Sequence, residues 1–207
     1  MSKELLVSID TETGGFNCEL NALLTLGVFV AETETGTVIF RKEFKFSNYV
    51  EVVEKTPTNT EIDSGAIYVE KSALDVNKID LEDLSSNGTT LESVDFELAE
   101  YFNKLDTNKE YRLIPLGQNL KFDLGFIEQN LPMFYSFLMG CRYHRELSTA
   151  SSLWHIFKKM GYNKSVSLDA MRKEMGIVSS GQTHSSLVDA EDNFKIYTRI
   201  LKDLTQT

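Results

Sequence analysis

The chain opens on an apolar run at residues 5–9 (LLVSI), short and rich in β-branched side chains, which predicts a buried strand. Residues 22–31 (ALLTLGVFVA) predict a second strand. Thr35-Gly36-Thr37 is a turn signal, and residues 38–46 (VIFRKEFKF) alternate in part, predicting a third. Three strands joined by short turns read as an antiparallel meander. The pattern then lapses. Residues 47–90, punctuated by Pro57, Gly65 and Gly88, hold only short apolar pieces at 66–69 and 79–84, and predict an excursion with one or two short helices. From there the period changes. Leu91, Val94, Leu98, Phe102 and Leu105 recur at spacings of three and four, an amphipathic helix over 90–105. Residues 112–117 (RLIPLG) predict a short strand, 122–131 a helix stopped near Pro132, and 132–138 another helix. Further helices are predicted over 147–160, ended by Gly161, and over 167–175, ended by Gly176. The last covers 190–204, where Phe194, Tyr197, Leu201 and Leu204 share a face. Ser179-Ser180-Gly181-Gln182 has no apolar member and predicts a mobile loop.

Early strands followed by interleaved helices indicate one α/β domain over residues 1–207. Its central sheet is mixed, an antiparallel meander first and parallel strands after it, flanked by helices, with an acidic excursion at about 47–90. With 42% hydrophobic and 25% charged residues, three prolines and no repeats, the composition excludes a disordered chain or a solenoid. The N-terminus lacks a signal-peptide pattern, and the longest apolar stretch, 22–31, is half a membrane span interrupted by Thr25, so no membrane partner is expected. Cys18 and Cys141 give neither a disulfide framework nor metal-ligand spacing, and a reducing, cytoplasmic setting is expected.

The net charge of −10 argues at first against a nucleic-acid partner. Its distribution changes that. Residues 51–110 carry 15 acids and 5 bases, the whole excess, whereas residues 111–207 carry 9 acids and 12 bases. Between positions 142 and 173, Arg142, Arg145, Lys158, Lys159, Lys164, Arg172 and Lys173 face only Glu146 and Asp169. A solvated helix surface is the plainer reading of any one of these bases. As a group they are a candidate phosphate track.

The chemistry is carried by carboxylates. Asp10 and Glu12 sit at the end of the first predicted strand, two apart and so on one face. Side by side they repel and raise each other's pKa, and a cation is the natural relief. Gly14 and Gly15 follow, where the backbone bends tightly or a ligand comes close. This is half of a divalent-metal site. Asp123, just past the strand that ends near Leu116, and Asp189, at the start of the last helix, are candidates for the other half. His184 precedes Asp189 by five positions. Spacing alone is weak evidence: Asp-x-Glu recurs as Asp80/Glu82, Asp95/Glu97 and Asp189/Glu191. Context separates them. Asp10 and Asp123 each follow an apolar strand, at the carboxyl ends where open α/β sheets place their sites.

In this order the three segments resemble the three motifs of the DEDDh (DnaQ-like) 3′→5′ exonucleases, the family of the DNA polymerase III proofreading subunit, oligoribonuclease and ribonuclease T. Asp10-Thr11-Glu12-Thr13-Gly14 matches the first motif and Asn119-Leu120-Lys121-Phe122-Asp123 the second. The third, in its His form, is matched by His184-Ser185-Ser186-Leu187-Val188-Asp189-Ala190. Gly14-Gly15-Phe16-Asn17 is most similar to the ribonuclease T branch and related phage and bacterial exonucleases. Ser186 departs from the pattern, which commonly has Ala there. The resemblance implies a ribonuclease H-like fold and a metal-dependent exonuclease that hydrolyses single-stranded RNA or DNA from the 3′ end to nucleoside 5′-monophosphates. It implies that Asp10, Glu12 and Asp189 hold one metal, that Asp10 bridges to a second, and that Asp123 supports the second directly or through water. Such oxygen sites suit Mg²⁺ or Mn²⁺. Two metals about 4 Å apart stabilise both the attacking and the leaving oxygen. An imidazole with a pKa of about 6.5 accepts a proton from the attacking water near neutral pH, the role implied for His184, whose polar loop would close over substrate. Several family members pair, so a homodimer is also expected, one subunit's bases lying beside the other's site.

For the substrate, the backbone of Thr11 to Gly14, Thr13 included, would hold the terminal 3′-OH, with ordinary turn chemistry as the alternative, and Gly14-Gly15-Phe16-Asn17 would form the floor and wedge where the terminal nucleotide lies. Phe16 and Phe122 occupy positions where aromatics wedge against terminal bases in the ribonuclease T-like branch; for both, core packing is the alternative. Asn119 either positions the Asp123 turn or meets the substrate backbone. Asp192 is read as a capping or solvated helix residue, and His144 and His155 as surface or core histidines. Two other functions compete with the exonuclease. One is a proofreading or nucleic-acid-binding accessory module with low activity of its own, and the other an unrelated metal-dependent phosphatase or phosphotransferase.

Overall fold

The computed structural model describes residues 3–49, 51–57, 67–106, 111–140, 147–150, 152–153, 165–181 and 184–205. Strand β1 (Lys3–Thr13) pairs antiparallel with β2 (Leu23–Glu32), which pairs antiparallel with β3 (Val38–Lys45). On its other side β1 runs parallel to β6 (Tyr111–Gly117), whose last two residues pair in parallel with β7 (Leu147–Ser148). The order β3-β2-β1-β6-β7 is the mixed sheet expected, meander first and parallel strands after. Pro115 lies in β6 before β7 begins to pair with it, where its missing N–H costs no ladder bond on that side. Between β3 and β6 come β4 (Glu51–Val53) and β5 (Tyr68–Glu70), a small parallel pair, and helices α1 (Lys71–Asn77), α2 (Leu81–Asn87) and α3 (Leu91–Asp106). After β6 come α4 (Leu120–Asn130), α5 (Pro132–Gly140), α6 (Leu168–Met175) and α7 (Ser186–Thr205).

The two-residue period of β1 divides the core. Leu5, Val7 and Ile9 face α3, α4 and α5, where they meet Leu98, Phe102, Leu124, Phe126 and Phe134. Leu6 points the other way and packs with Phe29, Ile114 and Leu116 against Ala190 and Phe194 of α7. Ser8 shares that face, and its hydroxyl donates to the Ala190 carbonyl at 2.6 Å. The helix-breaking signals also hold. Pro132 opens α5, whose first N–H groups are accepted by the buried carboxylate of Asp95 on α3, at 3.1 Å from Met133 and 2.8 Å from Phe134. Gly176 ends α6 at φ +63°.

Four expectations need correction. Asp10 and Glu12 lie inside β1, which runs on to Thr13, because pairing with β2 continues to Leu23 after β6 has ended. Leu147 and Ser148 are not helical: they extend the sheet as β7 before helical residues 149–150 and 152–153, and the rest of that predicted helix lies outside the described residues. The last helix begins at Ser186, four residues earlier than the apolar period suggested, at a Ser pair that periodicity does not register, and Asp189 stands in its first turn, at the start of the helix as expected. The acidic excursion, finally, includes two strands and packs against the sheet: Val69 and Leu84 bury against Ala22 and Leu24, with Tyr49, Leu74 and Leu81 around them.

Candidate active site

The site lies where β1 outruns β6. Alternation carries Asp10 and Glu12 along the face that Leu6 and Ser8 occupy, toward α7, which brings Asp189. Asp123 comes from the first turn of α4, on the other face. Beyond Ser8 the β6 neighbour is gone, and Asp123 reaches into that place. Its Oδ1 accepts from both the backbone N–H of Thr11 at 2.9 Å and the Thr11 hydroxyl at 2.7 Å. His184 stands just before α7 in a left-handed conformation, φ +65°, which a side chain with a Cβ adopts only when its surroundings impose it. Ligand atoms of Glu12, His184 and Asp189 fall within 4.8 Å of one another.

The start of α7 is fixed by residues that the sequence did not single out. Glu43 on β3 accepts from the hydroxyls of Ser185 (2.9 Å) and Ser186 (3.1 Å) and from the N–H of Leu187 (3.4 Å). It thus places a carboxylate at the positive end of a twenty-residue helix. Thr25 donates to Ser186 at 2.9 Å. The helix start crosses β2 so closely that a Cβ on Gly27 would come 2.2 Å from the Ser186 carbonyl. Ser186, the departure from the family pattern, is therefore fully buried with both roles of its hydroxyl used.

Electrostatics define the site further. Burial pushes the carboxyl of Asp10 well above the usual range, and Asp123, Asp189 and Glu12 add their repulsion. Burial, then Asp189 and Asp123, push Glu12 to about 8. Burial raises Asp123 to about 7 against the lowering effect of the Thr11 hydrogen bonds. Asp189 is raised by burial, although Arg172 and His184 pull it back. Four acids with raised pKa values, Asp123 and Asp189 buried and Asp10 and Glu12 half-buried, form a donor set that hard divalent cations fit.

A stability measurement tests that fit. Unfolded carboxyls titrate near pH 4. Above there the folded chain keeps protons that the unfolded chain has lost, on Asp123 up to about pH 7 and on Glu12 up to about pH 8, with Asp10 shifted in the same direction. Metal-free stability therefore falls as pH rises through this window. The lowered carboxyls of Glu32, Glu70, Asp83 and Glu191 act with the opposite sign, but below about pH 4.5. Metal binding needs the deprotonated carboxylates, so its stabilisation grows with pH. At a hundred times its Kd a ligand contributes about 2.7 kcal/mol, which for a chain of this size is a rise of about 5–10 °C. Calorimetric melts are expected to show that rise with Mn²⁺ near pH 8.5 and little near pH 5.5. No shift at the higher pH would remove the metal assignment.

Beside Glu12 a cavity of about 310 Å³ opens. Thr11, Thr13, Gly15, Phe16 and Phe122 line one side, and Glu70, Ser72, Ala73, Val76 and Asn77 the other. That second wall is α1 and the residue before it, from the segment that read as an acidic excursion. Phe16 is 89% exposed and meets Phe122 edge-on at 6.2 Å, while Phe122 rests on Phe126 at 5.1 Å. Asn119 is exposed beside them and its side chain caps nothing. Other predicted contacts are occupied within the protein. The Thr13 hydroxyl donates to the Gly15 carbonyl, the Thr13 carbonyl accepts from Asn77, and a Cβ on Gly14 would meet the Tyr68 carbonyl at 2.7 Å. Close approach of β5 thus accounts for Gly14. Arg172 is buried, so it does not belong to a surface phosphate track. Asp192, fully buried on Arg172, is neither solvated nor a cap. Ser179 and Ser180 of the expected mobile loop are tied to Asp192 and Glu191. Arg142, Arg145, Lys158, Lys159, Lys164, His144 and His155 lie outside the described residues.

No family model and no curated protein matches the chain. Solved structures do. It is similar to exonuclease I (TM-score 0.69, 14% identity over 98% of this chain and 41% of that one). It is similar to E. coli exonuclease I in complex with a dT13 oligonucleotide (0.66, 13%, 99% and 44%). It is similar also to the zinc-bound form of the E. coli exonuclease I complex with single-stranded DNA (0.68, 15%, 100% and 42%). The likeness is one of fold, a mixed α/β architecture, and the chain spans about two fifths of the length of these structures. No helix among the described residues is long and apolar enough to cross a membrane.

Proposed function

We propose that this chain is a divalent-metal-dependent 3′→5′ exonuclease of the DEDDh type, acting on single-stranded nucleic acid. One observation carries the reading. Asp10, Glu12, Asp123, Asp189 and His184, from three segments far apart in the chain, converge at the edge that β6 leaves open, beside a nucleotide-sized cavity. Asp10, Glu12, Asp123 and Asp189 hold two ions of Mg²⁺ or Mn²⁺. When bound, these supply Lewis-acid stabilisation of charge at the reacting phosphate. His184 takes the proton from the attacking water. Thr11 fixes the direction of Asp123, and Phe16 and Phe122 stack on the terminal bases. The similarity to exonuclease I, solved with single-stranded oligonucleotides, agrees with this substrate class.

The test is a 5′-labelled single strand, DNA and RNA in separate reactions, incubated with Mg²⁺ or Mn²⁺. A ladder shortening from the 3′ end and abolished by EDTA is expected. Binding without cleavage would assign an accessory role instead. In the same assay Phe16→Ala separates stacking from packing. Base–aromatic stacking is worth about 1–3 kcal/mol per base, so KM should rise about 5- to 150-fold. Melting should be unchanged, because Phe16 is exposed. An unaltered KM would return Phe16 to ordinary surface.

A further inference from the structure

The candidate metal ligand Asp189 has a partner that neither its motif nor its spacing announces. Arg172, on α6, keeps 7% of its surface exposed. One guanidinium nitrogen, Nη1, donates to Asp189 Oδ1 at 3.3 Å, to Asp192 Oδ2 at 2.8 Å and to the Ser179 hydroxyl at 2.9 Å. The other, Nη2, donates to Asp169 one turn earlier on α6. Asp192 has no exposed surface; its Oδ2 also accepts from Ser179, and its Oδ1 from Lys195 at 3.4 Å. One planar fork therefore joins three pieces: α6, the first part of the segment that leads to His184, and the first two turns of α7.

We infer that Arg172 is a positioning residue for the metal site: it holds Asp189 by one carboxylate oxygen, so that the other is presented to a divalent cation, and it anchors the segment that ends in His184. The inference rests on the reading of Asp189 as a metal ligand. A lone carboxylate among Asp10, Glu12 and Asp123 would swing away from like charge. The hydrogen bond from Arg172 to Oδ1 restrains that swing, with a direction as well as a charge. A lysine supplies the charge without the fork. Partners of this kind, bonded to a ligand rather than to the metal, typically carry about 10- to 100-fold of metal affinity or activity.

Two variants of the full chain test it, compared with wild type and with Asp10→Asn. Arg172→Lys keeps the charge and loses the fork. The double variant Arg172→Gln/Asp192→Asn removes both members of the most deeply buried pair, so that Asp192 is not left as an unpaired charge with no exposed surface, and it decides the matter if the lysine variant fails to fold. Mn²⁺ binding is read by calorimetry, and cleavage of a labelled single strand is followed against Mn²⁺ concentration. Both variants are expected to bind Mn²⁺ about 10- to 100-fold more weakly and to need correspondingly more of it for half-maximal rate, with KM for the strand little changed. A folded variant of either kind that binds Mn²⁺ as tightly as wild type, or more tightly, overturns the inference and leaves the active-site reading in place. Asp10→Asn cleaving like wild type overturns the active-site reading itself, whatever the Arg172 variants do.

Discussion

Asp10→Asn should abolish cleavage while leaving the metal-free protein at least as stable as wild type, and more stable near pH 8.5. Two physical facts combine in this result. Asp10 is a carboxyl strongly opposed by its surroundings, raised by burial and by Asp123, Asp189 and Glu12 together. A neutral amide of the same shape removes that repulsion at every pH where the neighbours ionise. The same substitution takes away a donor for the metal, whose charge stabilisation is worth several kcal/mol in phosphoryl chemistry, about 10³-fold or more in rate. A gain in one property with a loss in the other is the signature of a site built against the stability of its own fold. The measurements are the rate of 3′ shortening and the melting temperature in EDTA. Residual activity within tenfold of wild type would sink the role given to Asp10. A melting temperature that falls sharply would show Asp10 to be a structural partner instead.

Which parts of this site were legible in advance follows from how each residue is held. Four Asp-x-Glu pairs stand in the chain, and structure separates them cleanly. Asp80 caps α2 through the N–H groups of Glu82 and Asp83, Asp95 caps α5 from across the core, and Glu191 is paired with Arg41 and Lys195. Among the described residues, Asp10 and Glu12 have no cationic or capping partner of this kind, and the strand before them with glycine after them is what marks the pair in the sequence. The meander and the helix faces were legible for a similar reason: periods of two and of three to four report which side of an element is wet. Contacts made by single polar atoms across long separations leave no such trace. Glu43 at the start of α7 is about 140 residues from its partners. Arg172 sits in a basic stretch whose composition suggested a solvated face. Asp192 carries the same charge whether it is at the surface or buried. The wall formed by α1 was hidden by composition as well. Its acids pointed to an excursion, whereas Val69, Leu74 and Leu84, too few to set up a period, dock the segment on β2.

His184→Ala should lower the rate about 10²- to 10⁴-fold, the usual contribution of a positioned general base, while Mn²⁺ still raises the melting temperature as in wild type. The second half of that expectation decides the role. His184 lies with Glu12 and Asp189 in one cluster of ligand-sized spacing, which fits either a proton acceptor or a third metal ligand. A ligand's removal would weaken Mn²⁺ binding together with activity; a base's removal would leave it. The side chain is exposed, as a group that meets water and substrate must be, whereas the acids around it are buried or half-buried. Its backbone points the same way. His184 and Lys78 are the two non-glycine residues with positive φ among those described. A left-handed residue costs about 1–2 kcal/mol unless it is glycine, asparagine or aspartate. Asparagine at 184 should therefore be tolerated at least as well as histidine by the fold and rejected by the chemistry. His184→Asn is expected to melt no lower than wild type, to keep its Mn²⁺ response, and to lose as much rate as His184→Ala. Retained activity in His184→Asn would show that a hydrogen bond, not proton transfer, is what position 184 supplies.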